Sequence, residues 1–185
     1  MAKLTVFNQI SLDGYFTDAR NDMSWAHKSD PEWMAFTKEN AKGGGTLLFG
    51  RVTYEMMKSF WPTPAGRQAA PELADAMSKL PKVVFSRTLK EADWSNTTIV
   101  KEDPVEAVRT MKQRAKQDLV IMGSGQIVAL LTKADEIDLY QLVVNPIILG
   151  AGRTLFEGVE RRPNLMLEKT RQFTNGNVVL WYGRT

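Results

Sequence analysis

The chain has 185 residues, enough for one domain with a substantial core and no covalent staples. It has no cysteine and one histidine, which excludes disulfides, thiolate nucleophiles and cysteine-built zinc sites; no HExxH or calcium-loop spacing offers another metal centre. With 24 basic and 21 acidic residues interspersed, the net charge of +3 gives no basic surface for nucleic acid, although it suits a small phosphorylated ligand.

MAKLTVFNQI reads as a first strand, since it lacks the apolar core and cleavage site of a signal peptide, and an intracellular, cytoplasmic location is expected. The SLDG that follows is an Asp-Gly turn, and Asp13 within it is also a candidate for touching substrate or cofactor. His27 reads as a surface residue, because the sequence displays no partner for a catalytic role. Asp30 before Pro31 starts a helix through EWMAFTKENAK, in which Trp33 and Phe36 have core spacing. Gly43–Gly45 is a loop, and TLLF is a buried strand that ends on Gly50, Arg51, Val52 and Thr53.

WPTPAG at Trp61–Gly66 reads as a loop, PELADAMSKL as a helix from Pro71, and KVVF as a strand ending on Ser86, Arg87 and Thr88. Asp103 before Pro104 opens a crossover helix with Val105, Val108 and Met111 or Lys112 on the core period. Glu102, Arg109, Lys112 and Lys116 are then left for solvent. LVIM is a third buried strand, ending on Gly123, Ser124, Gly125 and Gln126, and QIVALLTK is the helix after it. DLYQLVV runs into a strand-end loop with Asn145, Pro146, Gly150 and Gly152, and falls short of the roughly 20 apolar residues of a membrane helix. LMLEKTRQF and NVVLWYG flank Asn175-Gly176, a strong hairpin signal. The expected fold is a single α/β domain over residues 1–185, with a mostly parallel sheet between helices and an antiparallel C-terminal hairpin.

Ligands of open α/β sheets sit beyond the carboxyl ends of the strands, so the three related strand ends predict one site. Glycines there admit backbone N–H groups to a pyrophosphate, Ser124 and Thr53 offer hydroxyls, and helix N-termini favour the anion. Arg51 and Arg87 suit a further phosphate, favouring NADPH over NADH. The turn is only GxG: Val128 stands where a third glycine would complete the Rossmann fingerprint.

SLDG, FGRVTYE, FSRTL, IMGSGQIVALL and ADEIDLYQLVVNPIILGAGRTLF, in this order and over nearly the whole chain, resemble the dihydrofolate reductase-like superfamily. The nearest branch is the bacterial proteins similar to the reductase domain of riboflavin biosynthesis. The resemblance implies a three-layer α-β-α fold, NADPH as cofactor and a homodimer. It implies Gly50, Arg51 and Thr53 on cofactor phosphates, Ser86 and Arg87 at the 2′-phosphate and adenosine end, and Gly123, Ser124, Gly125 and Gln126 on the pyrophosphate. The segment from Phe7 to Gly14 would line the nicotinamide side, and Glu32 falls nearest the carboxylate that the family's first helix turns toward substrate. Glu32 and Asp13 are thus the catalytic candidates, although helix first-turn charge accounts for Glu32 equally well and an ordinary Asp-Gly turn accounts for Asp13 more readily. The implied activity is hydride transfer to a C=N bond of a small pterin- or pyrimidine-like substrate. Reduction of 5-amino-6-(5-phosphoribosylamino)uracil and a non-catalytic NADPH-binding protein are the alternatives. Met56 and Met57 after Glu55 depart from the acidic residues common in the riboflavin-type reductases, which weighs against a phosphoribosyl substrate.

Overall fold

The computed structural model describes residues 1–26 and 30–185, so His27 lies outside the described residues. Strand β1 (Leu4–Ser11) leads through β2 (Tyr15–Asp18) and helix α1 (Pro31–Lys42) to β3 (Thr46–Gly50). Helices α2 (Arg51–Lys58), α3 (Pro64–Ala69) and α4 (Pro71–Lys79) precede β4 (Lys82–Phe85) and β5 (Thr97–Val100). Then come α5 (Pro104–Arg114), β6 (Leu119–Met122), α6 (Gly125–Lys133), β7 (Leu139–Asn145), β8 (Gly152–Thr154), β9 (Leu165–Gln172) and β10 (Val178–Arg184).

The main sheet has the order β5-β4-β3-β6-β1-β7-β10-β9. From β5 to β7 the strands are parallel, and β10 and β9 add antiparallel at the far edge. The central strands bury both faces, as their continuous apolar runs require. Leu4, Val6, Leu48 and Ile121 meet Val108 of α5 and Val128 and Leu131 of α6 on one side. On the other, Leu47, Phe49 and Val84 meet Tyr54 of α2 and Met77 of α4, and farther along Val143 and Val179 meet Trp33 and Phe36 of α1. Three layers follow from that two-faced pattern. Among the described residues no helix is long and apolar enough to cross a membrane.

Several local expectations change. WPTPAG does not remain a loop: Thr63 accepts from the Gly66 N–H at 3.3 Å and Pro64 occupies the first turn, which starts α3. Lys112 is not left to solvent, because its side chain is only 12% exposed and its ammonium sits 2.6 Å from Asp138. Strands β2 and β8 pair with each other outside the main sheet, and at four and three residues they are too short to show a period.

Lys82, at the start of β4, is 1% exposed. Its ammonium donates to the carbonyls of Met77 (2.8 Å), Ser78 (3.2 Å) and Leu80 (2.6 Å) at the end of α4 and lies over the Trp94 ring. It works as a buried C-terminal helix cap.

Topology sets the position of the site. From β3 the chain moves outward to β4 and β5, then β6 returns beside β3, so α2 and α6 leave neighbouring strand ends on opposite faces of the sheet. In open α/β sheets ligands bind at such a point, in a crevice outside the carboxyl ends of the strands.

Candidate functional site

The carboxyl ends of β4, β3 and β6 lie side by side, as the three related sequence turns require. Gly50 is in register with Phe85, so Arg51 and Ser86 leave adjacent strands. Gly50 is the N-cap of α2 and Ser124 the N-cap of α6, and neither makes a side-chain bond to its first turn. Helices α1, α3 and α5 are capped by Asp30, Thr63 and Asp103, while α4, with Ala70 at its N-cap, also lacks a side-chain cap. Two helix N-termini with no side-chain cap therefore converge on the crevice, each carrying the partial positive charge of its dipole.

A set of long-range hydrogen bonds holds the two turns together. The Ser124 N–H donates to Thr53 Oγ1 at 3.0 Å, and the Gly50 N–H donates to Ser124 Oγ at 2.8 Å. Asn8 Nδ2 donates to the Gly123 carbonyl at 3.2 Å, tying β1 into the same corner. Thr53 and Ser124 are both buried, and their hydroxyl oxygens accept from the backbone of the opposite turn. Glycine is required here. Gly123 has φ +62, and a Cβ on it would lie 2.7 Å from Thr53 Cγ2. A Cβ on Gly125 would lie 2.8 Å from the Phe16 ring.

The cations form a row along the same edge. Arg51 is half exposed and pairs with Glu55 one turn on, at 3.0 Å. Arg87 is exposed, with Nε donating to the Lys101 carbonyl at 3.4 Å. Ser86 Oγ accepts from the Thr88 and Leu89 N–H groups at 3.2 and 3.0 Å, so its hydroxyl shapes the turn that presents Arg87. Lys101 extends the row beyond Ser86, because Phe85 is in register with Val100. Sequence reasoning passed over Lys101; the signal was its place at the end of TTIV, matching Arg51 and Arg87 after their own apolar runs. Gln126 lines a depression of about 260 Å³ beside α6, shared with Gly125, Thr154 and Arg153, the last another cation that sequence reading left in a loop.

Beyond Met122, β6 ends while β1 continues to Ser11 against β7 alone, so the crevice reaches down beside Asn8 to Ser11. Asp13 follows, with Oδ1 accepting from the Leu149 N–H (3.1 Å) and Oδ2 from the Gly150 N–H (2.7 Å). A hydrogen bond with the Ser11 side chain, aided by those N–H groups, holds its carboxyl below the usual carboxylate range. It is thus an ionised clasp between the turn after β1 and the loop after β7. Glu32 is placed elsewhere: it accepts from Arg171 Nη2 (3.3 Å) on β9 and from the Thr174 N–H (3.4 Å), at the opposite edge of the sheet from the strand-end cluster. The structure brings together Gly50, Arg51, Thr53, Ser86, Arg87 and Gly123 to Gln126, with Asp13 at the neighbouring strand end, and leaves Glu32 apart. Among the described residues no three acidic or histidine side chains are grouped to hold a metal.

Residues 2–179 match the model of the RibD C-terminal domain family. Among curated proteins, the uncharacterized protein YyaP of Bacillus subtilis strain 168 is 27% identical over 94% of this chain and 90% of its own length. Among solved structures, a Shewanella sp. PV-4 protein assigned to riboflavin biosynthesis superposes with TM-score 0.75 at 24% identity, covering 100% of this chain and 99% of that one. Dihydrofolate reductase from Enterococcus faecalis, complexed with NADP(H) and RAB-propyl, gives 0.65 at 17% identity, covering 99% and 96%. These likenesses establish the dihydrofolate reductase-like fold.

Proposed function

The chain belongs to the RibD C-terminal domain family, and from that premise we propose that it is an NADPH-dependent reductase of a small pterin- or pyrimidine-like heterocycle. The observation that carries this reading is the pair of helix N-termini, without side-chain caps, locked side by side by the Thr53, Ser124 and Gly50 bonds. In the proposal the Gly123 to Gln126 turn at the start of α6 receives the pyrophosphate, while the Gly50 and Ser124 N–H groups, engaged with Ser124 Oγ and Thr53 Oγ1, fix the cradle. Arg51, Ser86 and Arg87, with Lys101, form the 2′-phosphate and adenosine end.

When bound, the cofactor supplies a hydride to the carbon of the C=N bond, whose π electrons pass to nitrogen, which takes a proton from water or an acid. This chain's own share is orientation. Asn8 holds the Gly123 turn beside β1, and Asp13 pins the loop after β7 across the end of β1. Asp13, held ionised, acts as a fixed acceptor, and Glu32 reaches a substrate only after leaving Arg171. We therefore assign proton delivery to ordered water.

The test begins with energy transfer from tryptophan to added NADPH, followed by loss of nicotinamide absorbance with candidate heterocycles. Saturable transfer with turnover supports a reductase. Transfer without turnover leaves a binding protein, and no transfer sinks the proposal.

The proposal extends to a homodimer through the hairpin edge. Met166 and Leu167 on β9 are 56% and 50% exposed, and Tyr182 of β10 is half-buried opposite Leu167. Sedimentation should show a dimer. Because burying such a side chain contributes about 1.5–3 kcal/mol, changing Met166 and Leu167 together to Asp should weaken association by about 100-fold or more. A monomeric parent protein would remove the dimer from the proposal.

A further inference from the structure

The pyrophosphate of the proposed cofactor needs a cation that the strand-end row does not place beside it. Arg51, Arg87 and Lys101 follow β3, β4 and β5, and Arg51 runs along α2 to Glu55. The turn assigned to the pyrophosphate follows β6, and the first turn of α6 reads Gly125, Gln126, Ile127 and Val128, with no charge of its own. Amide N–H groups and a helix dipole favour an anion there, but each phosphate of the pair brings a negative charge.

Arg153 reaches that turn from outside the main sheet. It sits on β8 in register with Thr17 of β2, and its guanidinium carbon lies over the Phe16 ring, 5.7 Å from the centroid. The same ring lies against α6, since a Cβ on Gly125 would be 2.8 Å from two of its atoms. Phe16 is buried in one core cluster with Val128 and Leu131 of α6, which makes the ring a fixed platform. Arg153 and Gly125 therefore meet at one ring, and both line the depression of about 260 Å³ beside Gln126 and Thr154. A guanidinium held on an aromatic face keeps its fork of N–H donors available for phosphate oxygens. Here the fork is unengaged: among the described residues the Arg153 side chain has no carboxylate or carbonyl partner, and Glu157, which lines the same depression, forms no ion pair with it. Arg109, Arg161, Arg171 and Arg184, by contrast, each hold a carboxylate.

We propose that Arg153 is the cation of the pyrophosphate, gripping it from the β2–β8 ribbon while the first turn of α6 meets it with N–H groups. Arg51, Ser86 and Arg87 are then left to the 2′-phosphate, so that the two anionic parts of the cofactor are held by different guanidinium groups. The inference rests on the NADPH reading and supplies a contact residue which that reading lacks.

The experiment is calorimetric titration of the parent protein, Arg153→Met and Arg87→Met with NADPH and with 2′-AMP, which carries the adenosine and the 2′-phosphate but no pyrophosphate. Loss of the charged fork should weaken NADPH binding to Arg153→Met about 10- to 100-fold and leave 2′-AMP binding unchanged, which also shows that the variant is folded. Arg87→Met should weaken both ligands. Unchanged NADPH affinity in Arg153→Met, or an equal loss for 2′-AMP, overturns the inference. A parent protein that binds no NADPH overturns the cofactor reading itself, and the inference with it.

Discussion

Gly123→Ala is expected to weaken NADPH binding about 10- to 100-fold while lowering stability by about 2–4 kcal/mol. Two effects add. A left-handed backbone at φ +62 penalises any Cβ by about 1–2 kcal/mol, and the added methyl would lie 2.7 Å from Thr53 Cγ2, where only a shift of α2 can relieve it. That shift pulls Thr53 Oγ1 away from the Ser124 N–H, a buried bond whose loss leaves the donor unpaired. Gly158→Ala is the control: φ is +69, but the nearest atom is the mobile Lys133 ammonium at 3.5 Å. It should show the backbone penalty alone, with NADPH affinity unchanged. Equal affinity losses in the two variants, read by fluorescence titration beside thermal unfolding, would show that the turn's packing does not govern binding.

Lys82→Met should change the pH dependence of stability more than stability itself near neutrality. Burial pushes the Lys82 ammonium down to about 8, from an unfolded value near 10.4. Between those values the unfolded chain holds a proton that the folded chain has released, so stability rises with pH, by up to about 1.4 kcal/mol per unit and about 3 kcal/mol in all. Below pH 8 both states are protonated and the full cost of burying the charge is present. Replacement by Met removes that cost but leaves the carbonyls of Met77, Ser78 and Leu80 without their donor, a loss of about 1–3 kcal/mol. The two effects nearly cancel at pH 7, and the slope is the clean signal. Denaturant unfolding from pH 7.5 to about 10 should give a rising curve for the parent relative to Lys82→Met. Parallel curves would mean that the carbonyls and the Trp94 face hold the ammonium charged despite its burial.

What could be read from the sequence was local. The parallel strands TLLF, KVVF and LVIM announced themselves as short apolar runs, and Asn175-Gly176 announced the hairpin, because each signal lies within a few residues. The return of β6 between β3 and β1 is a tertiary choice that no window of sequence contains. The site divides in the same way. Glycines and hydroxyls at three strand ends were legible, but the mutual locking of Thr53 and Ser124 spans 71 residues. The helical pitch of α1 identified Trp33 and Phe36 as core, yet whether Glu32 turned toward the crevice or the hairpin depended on where β9 lay, which only the assembled sheet decides.

Strand β1 sits between β6 and β7, so the first strand made has no neighbour in the sheet until residues 119–145 exist. The Leu4 N–H waits for the carboxylate of Asp138, 134 residues away. At about 5–20 residues per second, synthesis leaves that apolar strand unpaired for roughly 7–27 seconds. The sheet therefore closes late and from its middle, and the nascent chain, more than the finished molecule, is the state in which LTVF is open to aggregation or to a chaperone.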